Sequence, residues 1–297
     1  MTNINPWQMV GMDYHMRSPN AGTAFFVDGE NGLDTNDGLS PASPLLTVTA
    51  ALALVTSGAN DYIFILNYPS TAPATEVFPI VINASHVHLI GVPDQASRRN
   101  VCLNVTTTTE NCIEFGADAA DCEIAGIEFG ADSQACIYCD IGTPFAPRMH
   151  IHHCEFGWIR ACEDGISIVP NADTPHWYVH DNRFGENCSR AGIYLGYNST
   201  RSIFQNNQFM VATGAVGFWA QGLCTGWFRI LDNDFLVTDQ AAGEAITLTN
   251  ANCSCYINRN YAGQGKAACA NNPYLETVAT FSAWIMNYSV GAILNAA

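Results

Sequence analysis

The sequence predicts an all-β fold: a single-stranded, right-handed parallel β-helix of about 26 residues per coil, closed at its N-terminal end by a short capping helix. Three observations lead to it. A heptapeptide carrying an aromatic residue recurs six times, a short apolar strand follows five of these rows, and neither a helical period nor a leucine repeat runs through the region.

The heptapeptides are IAGIEFG, IHHCEFG, VHDNRFG, FQNNQFM, ILDNDFL and YINRNYA. Their aromatics Phe129, Phe156, Phe184, Phe209, Phe235 and Tyr261 stand at intervals of 27, 28, 25, 26 and 26 residues. Five residues before each comes a second apolar residue: Ile124, Ile151, Val179, Phe204, Ile230 and Tyr256. Asn182, Asn207 and Asn233 share a column two residues before the aromatic, and Cys154 takes that place in its own row. Past a polar, glycine-containing loop come the second strands: ACIYC around Ile137, GISIV around Ile166, GIYLG around Ile193, GFWAQ around Phe218 and AITLT around Ile246. Two short strands per repeat are therefore expected, with like residues stacked about 4.8 Å apart as ladders in a long core. The Asn column reads as a turn ladder whose side chains bond the backbone and one another.

Upstream, YIFILNY (Tyr62–Tyr68), VHLIGV (Val87–Val92) and NCIEFG (Asn111–Gly116) read as earlier strands, and Phe25–Val27 as the first. A loop rich in Asp, Asn and Gly follows that first strand, then Ser-Pro-Ala-Ser-Pro and an expected helix from about Leu46 to Val55. This stretch, FFVDGENGLDTNDGLSPASPLLTVTAALALV, resembles the N-terminal segment of the right-handed parallel β-helix (pectate-lyase-like) superfamily, of the kind found in phage virion and tailspike proteins. That segment commonly reads VDG…GxDxNDGLSPxxPxxT before a capping helix. The resemblance covers about 30 residues in detail and the remainder through the coil pattern. A cap is also a physical requirement, because an open coil exposes both core and strand edge.

The chain divides into an N-terminal arm (1–23), a β-helix domain with its cap (24–272) and a C-terminal cap or tail (273–297). Trp7, Met9, Met12, Tyr14 and Met16 on the arm, with Trp284 and Tyr288 on the tail, are apolar residues outside the repeat. They are expected to bind partners, in the first place other copies of the chain, with a trimer as the expected assembly.

Composition narrows the function. The net charge is −16 and Lys266 is the single lysine, so the surface repels phosphate backbones and anionic lipid; neither nucleic acid nor membrane is an expected partner. No export signal or long apolar segment is evident. The twelve cysteines read as buried thiols or as disulfides formed after release. Cys136, Cys162 and Cys188, each 26 residues apart, form a possible thiol or disulfide ladder. The six Asn-x-Ser/Thr sequons carry little weight in an Asn-rich chain.

The superfamily includes polysaccharide lyases, glycosidases, tailspike depolymerases, adhesins and non-enzymatic virion proteins, so site chemistry must choose among them. Glu155 and Asp181 with Arg183, on adjacent coils, form the best acid–base cluster, and Asp232 with Asp234 the second. Solvated ladders also contain such residues, and the signatures of the polygalacturonase-like hydrolases are missing. For metal, His152 and His180 share a column and His150 lies on the same strand face, a weak imidazole set. Trp158, Trp177, Tyr178, Tyr194, Tyr197, Trp219 and Trp227 are candidate glycan platforms. The expectation is a structural virion protein with no cofactor, a head decoration, spike or tail appendage. It is assembled in the host cytoplasm, exposed to the medium after release, and contacts capsid or tail proteins. A polysaccharide lyase, glycoside hydrolase or depolymerase is the alternative, and a glycan-binding adhesin the second.

Overall fold

Short strands bury their apolar sides only if each coil lies on the last, and that is the architecture observed. The computed structural model describes residues 22–69, 72–93, 101–105, 109–139, 146–158, 160–169, 175–197, 199–221, 227–237, 243–249, 254–263, 273–276, 282–289 and 292–293. They form a parallel β-solenoid of about seven turns, with about 27 residues per turn and almost no helix. The arm residues Trp7, Met9, Met12, Tyr14 and Met16 lie outside the described residues.

Each full turn contributes three strands, not two. In one turn, His150–His152 joins a ten-stranded sheet, Glu155–Phe156 a nine-stranded sheet and Cys162–Ile168 an eight-stranded sheet. Tyr178–His180 then returns to the first sheet in register with His150–His152. The heptapeptide is thus two strands joined at a corner. A residue in the left-handed region makes the turn: Gly126, His153, Asp181, Asn206 and Asp232 in successive rows. A sequence alternation interrupted by one such residue still looks continuous, which hid the corner.

Pairing is parallel throughout the described strands until the last pair, Tyr288–Ser289 with Ala292–Ile293, which is antiparallel. On the ten-stranded sheet the inward column runs Ile63, Leu89, Ile124, Ile151, Val179, Phe204, Ile230, Ile257 and Trp284. Here Ile257, not Tyr256, continues the column. The sixth heptapeptide is therefore displaced by one residue: Arg259 makes its corner and Ala262, not Tyr261, follows Phe235. Core packing decides the register, because Ile257 is fully buried while Tyr256 keeps its ring at the surface.

On the nine-stranded sheet Phe129, Phe156, Phe184, Phe209 and Phe235 stack face to face, with successive ring centroids 5.2, 4.8, 4.6 and 4.6 Å apart. Gly165, Gly192 and Gly217 of the eight-stranded sheet sit against this stack. A Cβ at these positions would lie 2.6, 2.7 and 2.5 Å from the rings of Phe184, Phe209 and Phe235. The glycine that opens GISIV, GIYLG and GFWAQ is therefore room for a phenylalanine. Where the stack ends at Ala262, the corresponding position is Ala245.

The N-terminal helix, α1 (Val48–Leu52), is shorter than expected, and Val48 and Ala51 are buried in the core. Thr47 caps it, and Asp34 accepts hydrogen bonds from the Leu46 and Thr47 amides at 2.9 Å. Glu76 receives the amides of Val48 and Thr49. The Asp of GLDTNDG is thus a structural acceptor that seats the cap. Two strands, Ile80–Ile82 and Val101–Asn104, were not foreseen, being short and set in an irregular stretch. Tyr274–Glu276, Ala283–Ile285 and Tyr288–Ser289, within the stretch read as a tail, supply one more turn to the three sheets.

Candidate functional site

The outer face of the ten-stranded sheet gathers four of the eight histidines, His88, His150, His152 and His180. Successive side chains of a strand point to opposite faces, so when Ile151 is buried inward, His150 and His152 both stand outward. Register places Glu123 beside His150, and His180 beside His152 on the next rung. One rung below Glu123 lies His88. Glu123, His88 and His152 are nearly fully buried, His180 less so, and His150 keeps a 30% exposed side chain.

Glu123 is the hub. His152 Nε2 donates to its Oε1 at 2.8 Å and His88 Nδ1 donates to its Oε2 at 2.7 Å, while His150 Nδ1 lies 3.9 Å from Oε1. A second line runs outward: the Nε2 atoms of His150 and His180 are 2.6 Å apart, and His180 Nδ1 donates to Asp181 Oδ2 at 2.6 Å. One set of tautomers satisfies these contacts. With its proton on Nδ1, His180 offers Nε2 as acceptor to the Nε2–H of His150. His153 Nδ1–H then donates to His152 Nδ1 at 2.8 Å, and His88 Nε2 lies 2.8 Å from Asn60 Oδ1. Stacking stiffens the array: His152 and His180 lie 5.1 Å apart and almost parallel, and Tyr62 covers His88 at 4.3 Å.

Burial pushes the His180 imidazole down, against the opposing pull of Asp181, and burial likewise lowers His153. Burial works to raise the Asp181 carboxyl, but hydrogen bonds from His180 and Asn206 hold it below its ordinary value. One ligand atom each from Glu123, His150 and His152 falls within 4.8 Å of the other two, a donor set suited to a metal ion. His150, His152 and His180 were expected from sequence. Glu123 and His88 were missed, although Glu123 precedes Ile124 as His150 precedes Ile151. For His88 the 35-residue step from Leu89 to Ile124 obscures the repeat.

Beside the array, at the corner between the ten- and nine-stranded sheets, a cleft of about 250 Å³ is lined by His153, Glu155, Asp181 and Arg183, with Ile90 and Pro93 opposite. The best acid–base cluster is therefore brought together. Its carboxylates are engaged, however: Arg183 donates to Glu155 at 2.8 Å, and Asp181 accepts from both His180 and Asn206. The Arg183 guanidinium also lies 4.0 Å over the Trp158 ring. Asp232 does not join this cleft's lining. It sits at its own corner, gripped by Arg259 at 2.6 and 2.8 Å, while Asp234 is exposed one strand further on.

The remaining candidates scatter. Trp177 is a core residue whose indole donates to the Ala146 carbonyl. Tyr178 and Trp227 are exposed on the ten-stranded sheet, and Tyr194, Tyr197 and Trp219 are half-buried. Trp284 is half-buried against the core and donates to Glu276 at 2.7 Å, and Tyr288 is half-buried beside Tyr261. Cys162 and Cys188 are paired in register as thiols with sulfurs 3.3 Å apart, and Cys136 is buried beside them.

No protein-family model matches the chain, and no curated protein matches it. Among the described residues, no helix is long and apolar enough to cross a membrane.

Proposed function

We propose that the protein is a non-enzymatic structural component of a virus particle, of the head-decoration, spike or tail-appendage type, which self-associates as a homo-oligomer, with a trimer the form to test. The observation that carries this reading is the engagement of its acids. Glu155, Asp181 and Asp232 each bind a side chain from the next coil: Arg183, Asn206 and Arg259. These carboxylates tie turns together through partners on neighbouring coils, whereas a glycosidase or lyase requires an acid or base poised to exchange a proton. The cap motif and its likeness to β-helix virion proteins support the particle class.

The experiment combines association with catalysis. Sedimentation velocity of the untagged chain is expected to show a stable oligomer that is weakened by deleting residues 1–20. Incubation with acidic and neutral polysaccharides is expected to yield neither new reducing ends nor unsaturated uronate absorbance. A monomer that depolymerises a glycan, and loses that activity in Glu155→Gln, overturns the proposal. Genes for capsid or tail proteins beside its own would support it; sugar-transport genes would favour the enzyme.

One observation favours a second reading, glycan contact without cleavage. The cleft places Arg183, Glu155 and Asp181 around a concavity, and planar polar groups of this kind hydrogen-bond sugar hydroxyls.

A further inference from the structure

We infer that Glu123, His150 and His152 form a binding site for one first-row divalent transition-metal ion, with zinc the natural occupant. The donor set is two imidazoles and one carboxylate on rigid neighbouring strands, and imidazole with carboxylate suits zinc and its neighbours.

The distances fit. Ligand atoms about 2.0–2.2 Å from a tetrahedral ion are separated by roughly 3.3 Å. The pair His152 Nε2 and Glu123 Oε1 stands at 2.8 Å and the pair His150 Nδ1 and Glu123 Oε1 at 3.9 Å, bracketing that value. All three ligand atoms lie within 4.8 Å of one another, and side-chain adjustment on the order of an ångström would close them around one ion. The least buried of the three, His150, marks the side open to a fourth, exchangeable ligand.

The second, independent observation is the shell behind the ligands. Metal-binding imidazoles and carboxylates are usually held by hydrogen bonds through their other atoms, and here all three are. His150 uses Nε2 toward His180, which is anchored on Asp181. His152 uses Nδ1 toward His153. Glu123 uses Oε2 toward His88, which is anchored on Asn60. The tautomer that lets His150 donate to His180 already leaves the lone pair on His150 Nδ1. At His152 the ring proton moves from Nε2 to Nδ1 on coordination and then donates to His153, whose own proton shifts to its Nε2. No net proton is released by that exchange. A histidine pair filling an outer ladder by chance has no reason to be supported at every ligand.

The test uses the full chain without an affinity tag, stripped with chelator and titrated with zinc chloride by calorimetry and cobalt chloride by visible absorption. The expected result is one equivalent of either ion, with cobalt giving the d–d bands of a low-coordinate nitrogen and oxygen site. His150→Ala and His152→Ala are each expected to weaken binding at least tenfold, whereas His176→Ala, exposed and outside the cluster, leaves it unchanged. Glu123→Gln should do the same as the ligand variants. If its burial prevents folding, as circular dichroism would reveal, His150→Ala alone decides, because that side chain is partly exposed. Absence of binding, or binding that survives His150→Ala unchanged, overturns the inference.

Discussion

Asn207 shows how much one side chain does when every coil repeats it. Its Oδ1 accepts from the amide and Nδ2 of Asn182, while its Nδ2 donates to the Val179 carbonyl and to Asn233 Oδ1, all between 3.0 and 3.1 Å. The same pattern links Asn233, Asn260 and Asn287, so five amides form one buried chain. Asn207→Ala leaves buried donors and acceptors without partners and is expected to destabilise by about 2–5 kcal/mol in urea unfolding. Asn207→Asp should fare no better, since a carboxylate cannot donate to Val179. Equal stability of the Asp variant and the parent would disprove the ladder's role. Asp164 gives the pH-dependent counterpart. It is fully buried, receives Arg190 Nε at 2.9 Å, and burial raises its carboxyl despite that partner. An acid raised in the folded state binds its proton there first, so its unfavourable contribution is relieved as pH falls from that raised value toward about 3.9. Arg190→Leu is expected to cost about 2–3 kcal/mol at pH 7, below the 3–5 of a wholly buried pair because Arg190 is 34% exposed. Most of that deficit should vanish by pH 4, and chemical denaturation at both pH values checks it.

Strands here are specified in pairs across the core. Gly192 exists because Phe209 needs the space, and Gly217 because Phe235 does. Gly192→Ala alone is expected to destabilise by about 1–3 kcal/mol through overpacking. In a Phe209→Ala background the same change should cost far less, giving a coupling of at least about 0.5 kcal/mol in a double-mutant cycle. The chain already carries that combination at Ala245 and Ala262. Corners behave differently, being set by backbone conformation. Arg201 holds φ 61° at an exposed corner, a region that disfavours side chains by roughly 1–2 kcal/mol. Arg201→Gly should raise the melting temperature by a few degrees and Arg201→Val lower it. If both variants melt together, the corner carries no such strain.

The assembled solenoid protects what its sequence makes look reactive. All nine described cysteines are free thiols and eight are buried. Burial pushes Cys136 up to about 11 and, less completely enclosed, Cys102 up to about 12. Peptide mapping after iodoacetamide treatment at pH 8 should therefore find Cys136, Cys162 and Cys188 unmodified in the native chain and fully modified in urea. Cys102 should react slowly, with a rate still rising at pH 10, because the thiolate is the nucleophile. Rapid native labelling of the Cys162 and Cys188 pair would show that this part of the solenoid opens readily.

The coil period, the inward column from Ile124 to Ile230 and the Asn turn column were legible in the sequence. So was the pairing of Ile137, Ile166, Ile193, Phe218 and Ile246. A stacked β-fold repeats its burial pattern once per turn; the apolar columns answer to that burial, and the Asn column to the hydrogen bonds repeated at each turn. His152 beside His180 was legible for the same reason. The third strand, the slip at Ile257, the extra turn within 273–289 and the hub at Glu123 were decided by tertiary structure. A left-handed corner leaves no gap in alternation, a one-residue shift is resolved only by which side chain fits the core, and irregular loops such as the one between Leu89 and Ile124 break the count. A site assembled across rungs depends on register, and register is a property of coils in contact.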